Sequence, residues 1–108
     1  MPEIIAHAKL ERTTYHVYIL KLVDGGFYVG QTNNLKIRML EHRDGLQSHT
    51  KGKDPKLVYF EQFEGDRDGV SERENELTKL NQSPKGRRRL REMIENFRGP
   101  LRLLDLDA

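Results

Sequence analysis

Five polar side chains in this sequence fall where simple packing would place something apolar, and their types suit phosphate or proton chemistry. Arg38 and His42 are four residues apart in "LKIRMLEHR". On a helix they lie one turn above the other, along the border of the stripe made by Leu35 and Met39. Glu74 falls within the face that Val70, Leu77 and Asn81 would share on a later helix, whereas Glu72 and Glu76 point away from it. Tyr18 and Tyr28 stand on either side of the turn "DGG". If that loop has three residues, Asp24 to Gly26, paired residue numbers add to fifty, and Tyr18, Tyr28 and Gly30 share one face. A two-residue loop would send the two tyrosines to opposite faces. Glycine inside a strand gives up packing and backbone entropy, and often marks close approach to the backbone. Two phenols flanking bare backbone at Gly30 make a place for a phosphate or a metal-bound water.

Each of these positions also has an ordinary reading. Arg38 can snorkel along the helix and His42 can sit exposed beside it. "SERE", Ser71 to Glu74, fits a capping box in which Glu74 only closes a helix start. Tyrosine is among the best strand formers, so Tyr18 and Tyr28 can be plain sheet residues. A carboxylate inside an apolar stripe nevertheless needs a partner, because burying an unpaired charge is costly.

The elements that must carry these residues read in the order β-β-α-β-α-α. "YHVYILKLV" alternates and is rich in β-branched and aromatic residues, "DGG" breaks it, and "FYVGQT" resumes as the second arm of a hairpin. Asn33 or Asn34 can cap the helix "LKIRMLEHR", which stops before Gly45. A polar loop, "DGLQSHTKGKDPK", leads to a third strand, "LVYFEQF". Two helices follow, from about Val70 to Asn81 and, after Pro84, from about Lys85 to Phe97. Residues 1–14 show no clear period and read as a flexible lead-in; residues 99–108 read as a tail whose leucines can pack back. The expected fold is a small α/β (α+β) domain over residues 15–98, with an antiparallel hairpin at its centre.

Composition narrows the partners. The chain has 108 residues, one-third of them charged, and no cysteine, which excludes disulfides and thiolate metal sites. The four histidines, His7, His16, His42 and His49, fit no zinc spacing. No apolar run approaches a membrane span, and the first residues lack the apolar stretch of a secretory signal, so the expected location is the cytoplasm. The formal net charge is only +2, but "KGRRRLR" concentrates Lys85, Arg87, Arg88, Arg89 and Arg91. Such a run is either a solvated helix face or a nucleic-acid contact.

Taken in order, "VYI" (17–19), "YVG" (28–30), "TNNLKIRMLEH" (32–42) and the helix around Glu74 resemble the GIY-YIG nuclease superfamily, in particular its small single-domain members. The resemblance runs from about Tyr15 to the last helix. It departs from the family pattern in the first motif half, where "HVYIL" puts His16 and Val17 in the neighbourhood of the name-giving glycine. It implies a three-stranded antiparallel sheet flanked by helices, with an active site on one face. It further implies that Tyr18 and Tyr28 position or deprotonate the attacking water, and that Gly30 allows approach to the phosphate. By the same resemblance Arg38 holds the scissile phosphate, His42 assists proton transfer, and Glu74 binds one Mg²⁺ or Mn²⁺ ion. Asn81 is the candidate for the polar residue that completes the family site after the glutamate helix.

Hydrolysis of a phosphodiester builds negative charge on oxygen, and a planar guanidinium and a metal held by one carboxylate and water both suit that task. Free tyrosine titrates near pH 10, so Tyr18 serves as base near neutrality only if its phenol is acidified; otherwise His42 is the base and Tyr18 orients. The reading is thus a metal-dependent DNA endonuclease of repair, recombination or processing, structure-selective or weakly specific, or else dependent on a partner protein for specificity. The alternative is an inactive nucleic-acid-binding module in which Arg38 and the Lys85–Arg91 cluster grip phosphates.

Overall fold

The protein is described by a computed structural model covering residues 13–99. The lead-in, apart from Thr13 and Thr14, and the tail, apart from Gly99, lie outside the described residues. Three strands and three helices follow in the expected order: β1 (Thr14–Lys21), β2 (Phe27–Thr32), α1 (Leu35–Arg43), β3 (Lys56–Glu64), α2 (Arg67–Leu80) and α3 (Pro84–Asn96). The sheet is antiparallel throughout, with strand order β2-β1-β3, so the first strand is its centre.

Alternation along β1 divides the core in two. Val17 and Ile19 pack with Val70, Leu77 and Leu90 on the face covered by α2 and α3. Tyr18, Leu20 and Leu22 pack with Leu35 and Met39 of α1 on the other. Both clusters contain fully buried side chains, so β1 is sandwiched. A bulge of β3 against Ile19 and Leu20 keeps Tyr59 on the first face and Leu57 on the second.

The hairpin has a three-residue loop, but it lies one position earlier than "DGG" suggested. Leu22 N donates to Gly26 O (2.9 Å), and Gly25 N donates to Leu22 O (2.9 Å). The loop is therefore Val23 to Gly25, with Gly25 at φ +88° in the left-handed position such loops need. Tyr18 consequently pairs with Gly30, and not with Thr32. The register moves by two residues, which preserves parity, and Tyr18, Tyr28 and Gly30 do share a face.

Helix ends explain the other differences. Asn34 caps α1, its side-chain oxygen accepting from Ile37 N at 3.1 Å. The helix closes with Gly45 N on His42 O and Leu46 N on Glu41 O, a Schellman pattern. Helix α2 starts at Arg67, before the expected Val70, because Asp66 caps it by accepting from Gly69 N at 2.8 Å. Ser71 is therefore inside the helix, and the capping-box reading of Glu74 falls. Ser83 caps α3, and Pro84 occupies its first turn.

Gly30 is required by its cross-strand partner. A β-carbon there would come within 2.5 Å of the Tyr18 hydroxyl and 2.6 Å of its Cζ. The backbone that looked bare from the sequence is thus covered on this side by the Tyr18 phenol. Gly30→Ala is expected to cost about 1–3 kcal/mol through overpacking against a buried ring, read by urea denaturation. An unchanged midpoint would contradict the packing described.

Candidate active site

The site grows from the Tyr18–Gly30 pair. The Tyr18 ring is fully buried, and its hydroxyl, lying over Gly30, meets His42 Nε2 at 2.9 Å. His42 comes from the last turn of α1 and is itself 2% exposed. Its other nitrogen, Nδ1, lies 2.7 Å from Thr50 Oγ1, and Thr50 is also fully buried. One turn earlier on α1, Arg38 donates from Nε to Glu41 Oε1 at 2.9 Å, and its charge acts on the Tyr18 phenol. Gln47 Nε2 adds a second donor to the same Glu41 oxygen at 3.2 Å, which fixes the carboxylate behind the guanidinium.

Tyr28 lines the same face and is half-buried. Its ring meets the His42 ring edge-on at 5.4 Å between centroids and stacks on the exposed His49 at 6.0 Å. The loop after α1 therefore places both Thr50 and His49 against the site. It is tied to the hairpin turn by Val23 N donating to Lys53 O at 2.8 Å.

These surroundings set the charge states. Burial, then the neighbouring Tyr28, pushes the Tyr18 phenol well above its ordinary range, with Arg38 acting in the opposite sense. Burial pushes Tyr28 up as well, and Glu74 adds to the effect. His42 is lowered to about 4, first by burial and then by the Arg38 charge, with Glu41 opposing. Burial works against the Arg38 charge, but Tyr18 and Glu41 more than offset it. Near neutrality the site thus holds a protonated phenol, a neutral imidazole and a guanidinium. The protein's own groups thus do not acidify Tyr18, and they leave His42 unprotonated but a weaker base than free imidazole.

Glu74 reaches this region from α2, across β2. One of its oxygens accepts from Gln31 Nε2 at 3.1 Å, and the same amide donates to Ser71 Oγ at 3.2 Å. Gln31 projects to the α2 side of the sheet, opposite to Tyr18 and Gly30. The Glu74 charge nevertheless acts on both Tyr18 and Tyr28, since β2 is an edge strand. Among the described residues no ion pair reaches Glu74, and no group of three or more metal-ligating side chains forms. A half-buried carboxylate with one amide donor and no cation fits a hard divalent ion bound through a single carboxylate and water.

The basic cluster is not brought to this face. Helix α3 packs through Leu90 on Val17 and Ile19, so the sheet stands between it and Tyr18. Lys85, Arg88, Arg89 and Arg91 are exposed there, whereas Arg87 turns inward and donates to Asn81 O at 3.1 Å. Asn81 is likewise engaged in packing, its amide donating to Phe27 O at 2.8 Å. Sequence reasoning did not find Thr50, Gln31 or His49. They sit in a polar loop or on the outer side of an edge strand, where no periodicity singles them out.

The lowered His42 makes stability depend on pH. An unfolded imidazole titrates near 6.5 and the folded one near 4, so between these values the unfolded chain binds more protons. Stability is then complete above about 6.5 and falls as pH drops toward 4. Half-buried His16, lowered chiefly by desolvation and with an unpartnered Nδ1, acts in the same sense. The melting temperature is expected to fall across this window, and less steeply in His42→Gln; parallel profiles for the two proteins would contradict the assignment.

Comparison with known proteins agrees with the geometry. Residues 14–89 match the family model described as the GIY-YIG catalytic domain. The UPF0213 protein of Clostridium perfringens is 46% identical over 72 residues, 65% of this chain and 76% of the relative. The UPF0213 protein of Desulfotalea psychrophila is 30% identical over 83 residues, 75% of this chain and 76% of that one. No solved structure gave a significant match. The chain belongs to the GIY-YIG family and carries a domain of its nuclease class.

Proposed function

We propose that the protein is a divalent-metal-dependent endonuclease that hydrolyses DNA phosphodiesters in repair, recombination or processing. The proposed unit is residues 15–98, acting in the cytoplasm with structure-selective or weakly sequence-specific choice of site, or with specificity from a partner protein. The observation that carries this reading is the buried contact of Tyr18 with His42, with Arg38 one turn away on the same helix, beside an apolar cluster. A buried phenol and imidazole and a half-buried guanidinium cost desolvation, and packing alone gives no reason for them.

In the proposed mechanism Arg38 pairs with the scissile phosphate and stabilises charge on its oxygens. The attacking water gives a proton to the Tyr18 oxygen as the phenol passes its own proton to His42 Nε2. Tyr28 and His49 form the apolar and polar wall beside the attacked group. Glu74 would hold a Mg²⁺ or Mn²⁺ ion, which when bound supplies positive charge near the leaving oxygen. Arg38→Ala and Glu74→Ala are each expected to lower cleavage of labelled DNA by about 10²- to 10³-fold while leaving the fold intact. Equal cleavage by purified Glu74→Ala protein would remove the metal assignment.

Lys85, Arg88, Arg89 and Arg91 are proposed as phosphate contacts, with Arg87 contributing less because it is committed to Asn81. Together with Lys79 and Ser83, three of them border a cleft of about 590 Å³ beside Leu80. This second cationic surface favours the inactive binding module as the other reading, since it can grip nucleic acid without the site. Under either reading, duplex binding should weaken with salt, with a log-log slope of about 0.9 per phosphate neutralised. Replacing Arg88 and Arg89 with Gln is expected to reduce that slope by about 2; an unchanged slope would exclude the helix from binding.

A further inference from the structure

Four groups on the α1 side of the sheet form one hydrogen-bonded string. Tyr18 meets His42 Nε2 at 2.9 Å, and His42 Nδ1 meets Thr50 Oγ1 at 2.7 Å. The Thr50 hydroxyl lies 3.5 Å from Gln47 O. The far end of this string has no choice of role, because a backbone carbonyl only accepts.

From that end each group must accept from one side and donate to the other. With the Thr50 hydroxyl donating to Gln47 O, its oxygen accepts from His42 Nδ1. The neutral imidazole then carries its proton on Nδ1, and the bare Nε2 accepts the phenol proton of Tyr18. In the opposite tautomer the bare Nδ1 and Gln47 O would compete for the one Thr50 proton, and Nε2–H would donate to Tyr18 and leave the phenol proton without its acceptor in a fully buried place. Leaving a buried donor unsatisfied costs about 1–3 kcal/mol, enough to decide between two tautomers of otherwise similar energy.

From this geometry we infer that Thr50 is a positioning residue, which fixes His42 in the Nδ1–H tautomer and so keeps Nε2 open to receive the proton of Tyr18. Thr50 touches neither the substrate nor the reacting atoms. It acts through His42, as the carboxylate of a serine-protease triad acts through its histidine. Position and burial suit the task. Thr50 has no exposed surface, and its own backbone is held by Thr50 N donating to Gln47 O and Lys53 N donating to Thr50 O. Valine has the same shape without the hydroxyl, and serine keeps the hydroxyl without the methyl.

The tautomer is a property of the protein whether or not it cuts DNA; its effect on turnover rests on the proposed nuclease reading. Two-bond ¹H–¹⁵N correlation spectra of the uniformly ¹⁵N-labelled full chain near pH 7 distinguish the Nδ1–H and Nε2–H forms of His42. The parent protein is expected to show the Nδ1–H form, Thr50→Val a mixture or the Nε2–H form, and Thr50→Ser the parent pattern. On labelled duplex DNA with Mg²⁺, Thr50→Val should lose about 10²-fold in kcat with KM little changed, and Thr50→Ser should recover most of it. An Nε2–H tautomer in the parent chain would overturn the inference, even if Thr50→Val failed to fold. So would a Thr50→Val protein that changes tautomer but keeps its kcat. A parent chain with the Nδ1–H form and no cleavage would count against the proposed function and leave the tautomer assignment standing.

Discussion

The pairing of Tyr18 with Gly30 is the constraint on which the rest of the site depends. A phenol can lie flat across a neighbouring strand only where that strand has no side chain, and β2 offers such a place at one residue. Once there, the hydroxyl has a single approach, toward the last turn of α1, where His42 waits with a nitrogen. Helix α1 can present His42 and Arg38 together because four residues make about one turn, and its apolar stripe fixes which turn faces the sheet. The loop after α1 closes the arrangement by bringing a hydroxyl to the far side of the imidazole.

The sheet then separates two kinds of electrostatics. On the α1 side, a few polar groups are held dry, and their ionisation is shifted by burial and by each other. On the α3 side, cations stand in water, where each interacts weakly with its neighbours; Arg89 lies 3.8 Å from Glu92 with both side chains largely exposed. The ion pairs that bind α2 to the sheet are of a third sort: Arg73 forks onto Glu61, Tyr59 hydrogen-bonds to the same carboxylate, and Arg73 also reaches Glu76. That network orients α2, and hence Glu74, without taking part in the site itself.

Much of this was legible in the chain. The alternation in "YHVYIL" and "FYVGQT", an asparagine cap at position 33 or 34 and the Arg38–His42 spacing were enough to assign the hairpin, the first helix and the residues along its border. What was hidden has physical causes. Gly25 and Gly26 are interchangeable to the eye, but only one sits where the left-handed conformation is needed, so the loop was misplaced by one residue. Asp66 caps α2 from within a stretch, "EGDRDG", that reads equally well as a turn; with the start misplaced, Ser71 looked like a cap and Glu74 like its partner. Thr50 gave no signal, because a loop residue becomes buried through tertiary docking and not through a period. Which face the basic helix would take was also beyond reach, since α3 could have packed on either side of β1.

The separations along the chain bear on how the domain assembles. Tyr18 and His42 are 24 residues apart and His42 and Thr50 only 8, whereas Gln31 and Glu74 are 43 apart. Closing shorter loops costs less entropy, and local contacts order earlier. The hairpin and α1 therefore bring their polar groups together before α2 is called on. In a chain emerging from the ribosome, the carboxylate read as the cation's holder is the last of the site's groups to arrive, so a domain made only as far as β3 lacks a group on which cutting would depend.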